Sequence, residues 1–168
     1  MIRKKMLAII VLLLAFVLQT TVFRVIALAD VVPNLLLVVT ITFAYLRGRT
    51  SGLIIGFVSG MMFDMMYGSV IGLYAFIFMT IGFIVGFCQK IYFTDRLVLP
   101  IVLIMAGDFI YCLYFYITEF LMRGRLHFLF YFIHRFLPEM LYTTLVGVVL
   151  YRLLATAEAF FCRERKEM

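Results

Sequence analysis

Apolar residues gather in six runs along this chain, at about 6–23, 31–46, 51–66, 70–88, 97–121 and 137–157, with short polar breaks between them. Each run approximates the roughly 17–25 residues that cross a bilayer's hydrocarbon core as a helix. Together they take up most of the chain, so no extramembrane region of foldable size is left. The pattern predicts a single all-α transmembrane domain over residues 1–168, a compact bundle of six transmembrane helices. Arg3-Lys4-Lys5 ahead of the first run resembles a signal peptide, with Ala27-Leu28-Ala29 as an A-x-A site. The uncharged run 6–23 exceeds the roughly 7–15 residues of a signal-peptide core, however, and Arg24 separates it from that site. The first run therefore reads as a retained helix.

Composition supports lipid as the solvent. Hydrophobic residues make up 66% of the chain and charged ones 14%, at a mean hydropathy of +1.15. A soluble domain carries roughly 25% charged residues, and at this size much of the remaining apolar surface would face water.

Six spans place both termini on one side. If that side is the cytoplasm, eleven of the fifteen basic residues lie there, including Arg47, Arg49, Lys90 and Arg152. The outer side keeps Arg24, Arg123, Arg125 and Arg135. The net charge of +6 then reflects topology and contact with anionic lipid. Nucleic-acid binding, which needs a basic patch on a soluble face, is excluded. One stretch departs from this pattern. "RGRLHFLFYFIHRFLPE" (123–139) is basic on the outer side and rich in aromatics. It predicts an interfacial segment at about 126–136, anchored by His127, Phe130, Tyr131, His134 and Arg135, with Pro138 and Glu139 opening the next helix.

Within the third run, Gly52, Gly56 and Gly60 recur every four residues, joined by Ser59, and Gly82 and Gly86 repeat the spacing in the fourth. Four residues turn a helix by about 400°, so such positions stay near one face. In lipid, small residues let helix backbones approach closely. These six positions are the candidate helix-packing or partner-binding residues.

Two carboxylates interrupt apolar runs. Asp64 sits about 20 Å along its helix, near the outer interface, placed to accept hydrogen bonds from loop amides or to pair with Arg24 or Arg135. Asp108 falls about 16 Å into the fifth run, near the bilayer centre, where a carboxylate must face protein or water. Its candidate partners are Arg152, Thr143 and Thr144. Glu119 is expected at the interface beside Arg123.

Catalytic patterns are missing. Gly56-Phe57-Val58-Ser59-Gly60 has one residue too many for the serine motif of an intramembrane protease, and both histidines lie elsewhere. There is no H-E-x-x-H and no P-loop. The three cysteines, Cys88, Cys112 and Cys162, match no metal-site spacing and read as small apolar fillers. No enzymatic activity, cofactor or metal is expected.

The order of features resembles the MreD family of bacterial rod shape-determining proteins. The residues that carry the likeness are Pro33-Asn34-Leu35 opening the second run, the basic turn Arg47-Gly48-Arg49, the stretch Gly52 to Asp64, and Gly68-Ser69 with Gly72-Leu73-Tyr74-Ala75. The second half agrees mainly in length, span number and a basic tail. The resemblance implies a non-enzymatic subunit of the machinery that elongates the lateral cell wall, seated in the bacterial cytoplasmic membrane. Its implied partner is MreC, with MreB filaments and the membrane polymerase and transpeptidase beyond. It also implies a fold similar to the substrate-binding S-components of vitamin transporters. That similarity supplies an alternative, a small-molecule-binding membrane subunit with a pocket near Asp64, Asn34, Glu139 and His134.

Overall fold

The computed structural model describes residues 2–22, 32–68, 71–90, 98–118 and 136–163, which form six α-helices and no strand. The helices are α1 (Ile2–Val17, continued by a π-turn over Leu18–Val22), α2 (Leu35–Arg47), α3 (Arg49–Tyr67), α4 (Leu73–Phe87), α5 (Val98–Tyr116) and α6 (Leu137–Arg163). Glu119 and the anchor residues His127, Phe130, Tyr131, His134 and Arg135 lie outside the described residues. Phe136, which closes the expected interfacial segment, is buried and meets Tyr116 edge-on at 6.3 Å.

Three helical stretches are long and apolar enough to cross a membrane: Arg49–Tyr67, Val98–Tyr116 and Leu137–Glu158. The other three apolar stretches, Met6–Val22, Leu35–Arg47 and Leu73–Phe87, are shorter. For α2 the shortfall has a structural reason. Every residue from Leu35 to Ala44 is buried, so α2 is the central strut with neighbours all round it. A helix hydrophobic on every side belongs in such a place. Its ends need not reach either interface, because groups from other helices satisfy its terminal amides.

The surrounding helices each bury one stripe and expose the rest. On α1, Ala8, Leu12 and Ala15 are buried while Ile9, Ile10, Leu13 and Leu14 are exposed. On α6, Thr143, Tyr151, Leu154 and Glu158 face inward, whereas Leu141, Leu145, Val149 and Leu153 form an outward row, with Leu145 68% exposed. Contiguous apolar faces of this kind are untenable in water and natural in hydrocarbon.

The most extensive helix pairing is α3 with α4. They run antiparallel: a Cβ added to Gly52 would strike the Gly82 carbonyl, one on Gly56 the Phe78 carbonyl, one on Gly60 the Ala75 backbone, and one on Gly86 the Arg49 backbone. The spaced glycines thus bring two backbones together inside the chain. Ser59, fully buried on the same face of α3, shares a 2.6 Å hydrogen bond with Thr40 of α2. One hydroxyl donates across this contact, and the other donates to a carbonyl of its own helix, Leu36 for Thr40 or Gly56 for Ser59. Two glycines outside that series, Gly107 and Gly147, let α5 approach Ile41 and let α6 approach Val38 and Ile104.

Candidate functional site

The start of α4 has no side-chain cap of its own, because Gly72 occupies the N-cap with φ of 104°. A helix N-terminus leaves its first amides unpaired and carries partial positive charge. Asp64, reaching across from α3, supplies what is missing. Its carboxylate accepts from the amides of Gly72 (3.0 Å), Tyr74 (3.0 Å) and Ala75 (2.9 Å). The buried carboxylate therefore caps a neighbouring helix and fixes the α3–α4 turn. Of the partners considered for it, loop and helix amides are those observed, while Arg24 and Arg135 lie outside the described residues.

The start of α2 is built in a related way with neutral groups. Asn34 is the N-cap, its Oδ1 accepting from the Leu37 amide at 3.2 Å. Gln19, buried in the π-turn after α1, accepts from the Leu36 amide at 3.1 Å. The Asn34 amide donates to the Thr143 hydroxyl of α6 at 3.3 Å, which ties three helices together. The Asn34 Nδ2 has no hydrogen-bond partner among the described residues.

Asp108 presents the opposite situation to Asp64. It is fully buried on α5, and the Thr143 hydroxyl of α6, one of its expected partners, faces its carboxylate without closing to a well-formed hydrogen bond. Arg152, expected as one of its candidate partners, instead lies on the exposed side of α6. The groups beside Asp108 are Cys112, one helical turn on, and Glu139 in the first turn of α6. The ligating atoms of these three residues all lie within 4.8 Å of one another.

Cys112 and Glu139 also line a cavity of about 360 Å³, together with Asn34 and Gln19. Its remaining wall is largely aromatic: Phe63, Tyr67, Tyr74, Tyr111, Phe115 and Phe136. Phe63 is the hub of these rings, with centroid distances of 4.8 Å to Tyr67, 4.9 Å to Tyr74 and 5.9 Å to Tyr111. The cavity lies where α1, α3 and α5 end and α2, α4 and α6 begin. Of the four residues expected around a pocket, Asn34 and Glu139 line it, Asp64 is engaged in capping, and His134 lies outside the described residues.

The other end of the bundle is closed by a different chemistry. Arg47, in the last turn of α2, forms an ion pair with Glu158 of α6, its Nε donating at 2.6 Å, and stacks over the Phe43 ring at 4.4 Å. Gln89 donates to the Leu46 carbonyl at 3.3 Å. The sequence carries no comparable signal for Glu158 or Gln19, and Cys112, expected as a small apolar filler, instead stands beside two carboxyl groups. For Cys112 a signal was available, since Asp108 and Cys112 are four apart and so share a helix face.

Among the described residues, six helices, several of them packed through glycine and three long and apolar enough to span a bilayer, define a helical membrane protein. Residues 2–157 match the sequence model of the rod shape-determining protein MreD, and the chain belongs to that family. No curated protein and no solved structure gives a significant match. Family membership gives the chain a role in determining rod shape.

Proposed function

We propose that this chain is a non-enzymatic scaffold subunit of the bacterial cell-elongation complex, seated in the cytoplasmic membrane as six spans with both termini in the cytoplasm. It holds MreC by transmembrane helix packing and, through MreC, joins MreB filaments to the polymerase and transpeptidase that lay down lateral peptidoglycan. The observation that carries this reading is the family match over residues 2–157, across a chain whose described residues are almost all helical. A protein whose described residues are nearly all helical offers a partner mainly its helix faces.

The faces open to a partner are not the glycine ones. Gly52, Gly56, Gly60, Gly82 and Gly86 are occupied by backbone within the chain, so a leucine at Gly56 would break the fold before it tested an interface. The partner helix meets a lipid-facing flank instead. Photocrosslinking residues at Leu13, Phe83, Phe109 and Leu145 sample the outer sides of α1, α4, α5 and α6, all exposed. With MreC co-expressed, one of these helices is expected to crosslink to it and the others not. If MreC neither crosslinks at any position nor co-purifies with the intact protein, the proposal fails.

A second reading, of a membrane subunit that holds a small molecule, is favoured by the cavity between Asn34 and Glu139. A thermal-shift screen of the purified protein against vitamins and lipid-linked wall precursors tests it. Specific, saturable stabilisation supports it, and its absence counts against it.

A further inference from the structure

Two carboxamides stand in the wall of the cavity, and the helix they cap fixes which way round each is held. Asn34 Oδ1 accepts from the Leu37 amide at 3.2 Å, and Gln19 Oε1 accepts from the Leu36 amide at 3.1 Å. A backbone N–H admits only the oxygen end of a carboxamide. Each NH2 end is therefore left as a donor. The two residues are 2% and 3% exposed. The Asn34 Nδ2 has no acceptor among the described residues, and the described contacts of Gln19 supply none for its Nε2. Buried amide donors are nearly always satisfied, so two left open in one wall point to an acceptor that a ligand brings. The cavity's volume of about 360 Å³ falls in the range of roughly 300–1,000 Å³ typical of small-molecule sites.

The rest of the wall sets the shape of that ligand. Six of the described lining residues are aromatic and only Val32 is aliphatic, whereas the core elsewhere is mostly Leu, Ile, Val and Ala. An alkyl chain would be housed as well by the aliphatic residues that this chain uses everywhere else. Aromatic rings prefer tilted or edge-on neighbours with centroids 4.5–7 Å apart. Phe63 and Tyr74 at 4.9 Å, Tyr74 and Tyr111 at 6.0 Å, and Phe63 and Tyr111 at 5.9 Å already pair in this way. A further flat ring continues the arrangement. Water could satisfy the amides, but ring faces offer it few of the polar partners it needs. Because the open donors are neutral carboxamides, they complete a neutral carbonyl oxygen without any charge to compensate.

We propose that this cavity binds a neutral compound with a flat ring and a carbonyl oxygen, the ring set among Phe63, Tyr74 and Tyr111 and the oxygen accepting from the carboxamides of Asn34 and Gln19. The proposal rests on the second reading above and names its ligand class. The same chemistry is available from a free heterocycle or from the headgroup of a membrane quinone.

The test uses a matched set of probes on the intact purified protein, by equilibrium dialysis against the same detergent without protein. 2-Acetylnaphthalene carries both features. 2-Ethylnaphthalene lacks the carbonyl, 2-acetyldecalin lacks the flat ring, and 2-naphthoate replaces the neutral acceptor with a charged one. 2-Acetylnaphthalene is expected to bind saturably, and the other three at least about tenfold more weakly. Asn34→Asp and Gln19→Glu each keep the oxygen that caps α2 and lose the NH2, so each is expected to fold and to narrow the gap between the acetyl and ethyl probes. Tyr67→Leu, at the half-exposed rim, is expected to narrow the gap between the flat and saturated probes. Solvent extraction of the purified protein followed by mass spectrometry separates the sources. A retained quinone that 2-acetylnaphthalene displaces assigns the site to the headgroup, and an empty site that binds the probe assigns it to a free compound. Equal binding of the acetyl and ethyl probes, or tighter binding of 2-naphthoate, overturns the proposal. If all four probes fail while another compound class from the thermal-shift screen binds, the flat-carbonyl assignment falls and the small-molecule reading stands. If nothing binds, both fall.

Discussion

The α3–α4 seam and the cavity between Asn34 and Glu139 are adjacent, and they solve opposite problems. Along the seam, glycines remove side chains until backbones touch, and the one carboxylate, Asp64, has three amide donors. At the cavity, aromatic side chains hold the helices apart, and the buried carboxylate Asp108 has only the loosely placed Thr143 hydroxyl beside it where Asp64 has three close amides. Both regions are built from the same kinds of helix in the same solvent. The seam has every feature of a structural element, since its polar group is satisfied and its volume filled. The cavity has unsatisfied groups and open volume, which are costly to stability and informative about function.

A graded series of substitutions breaks or sharpens this contrast. The largest effect is expected for Gly60→Leu, whose side chain has only the backbone of Ala75 and Tyr74 to occupy. The α3–α4 pair separates, and the protein fails to elute as a monodisperse species on size-exclusion chromatography. Next is Asp64→Ala, which strands three α4 amides and should lower stability by on the order of 3 kcal/mol. Asp64→Asn, which keeps an acceptor but loses the charge, should cost about half of that. Both are read from denaturation in detergent. At the far end, Glu158→Gln weakens the largely buried pair with Arg47 and should cost about 1–2 kcal/mol, measured in a double-mutant cycle with Arg47→Gln. The smallest effect has the opposite sign. Asp108→Asn replaces a fully buried carboxyl that has only a loosely placed hydroxyl beside it and should leave stability unchanged or raise it by about 1 kcal/mol. If Asp108→Asn destabilises the protein as much as Asp64→Asn, the two carboxylates do the same job and the contrast fails. Where the variant folds yet no longer restores rod shape, the charge serves function.

Local features were the most legible. Glycines four apart lie on one helix face by geometry alone, and that face is the buried one on α3. Asn34 before a run of leucines is a readable helix cap, and it accepts from Leu37 as N-cap residues do. Asp64 was legible as a residue that needs donors, but the identity of those donors was not. They come from the next helix, and the αL turn at Gly72 that delivers them is set by packing. Arg152 was misread as an inward residue because span position says how deep a residue lies and little about which way it faces. Glu139 was placed correctly in a first helical turn, while its closeness to Asp108 depends on how α5 and α6 cross.

The chain by itself determined its solvent, its helices, the family it belongs to and the faces on which backbones meet. These follow from hydropathy and from spacing along a single helix, where neighbours three or four residues apart are fixed by the geometry of the turn. Only the tertiary structure decided that α2 is the central strut, that the glycines are spent inside the chain, and that Asp108, Cys112 and Glu139 converge beside an aromatic cavity. Those facts depend on the order and rotation of helices about one another. In lipid that arrangement is settled by close packing and a few polar contacts between residues far apart in sequence, and no local pattern records it.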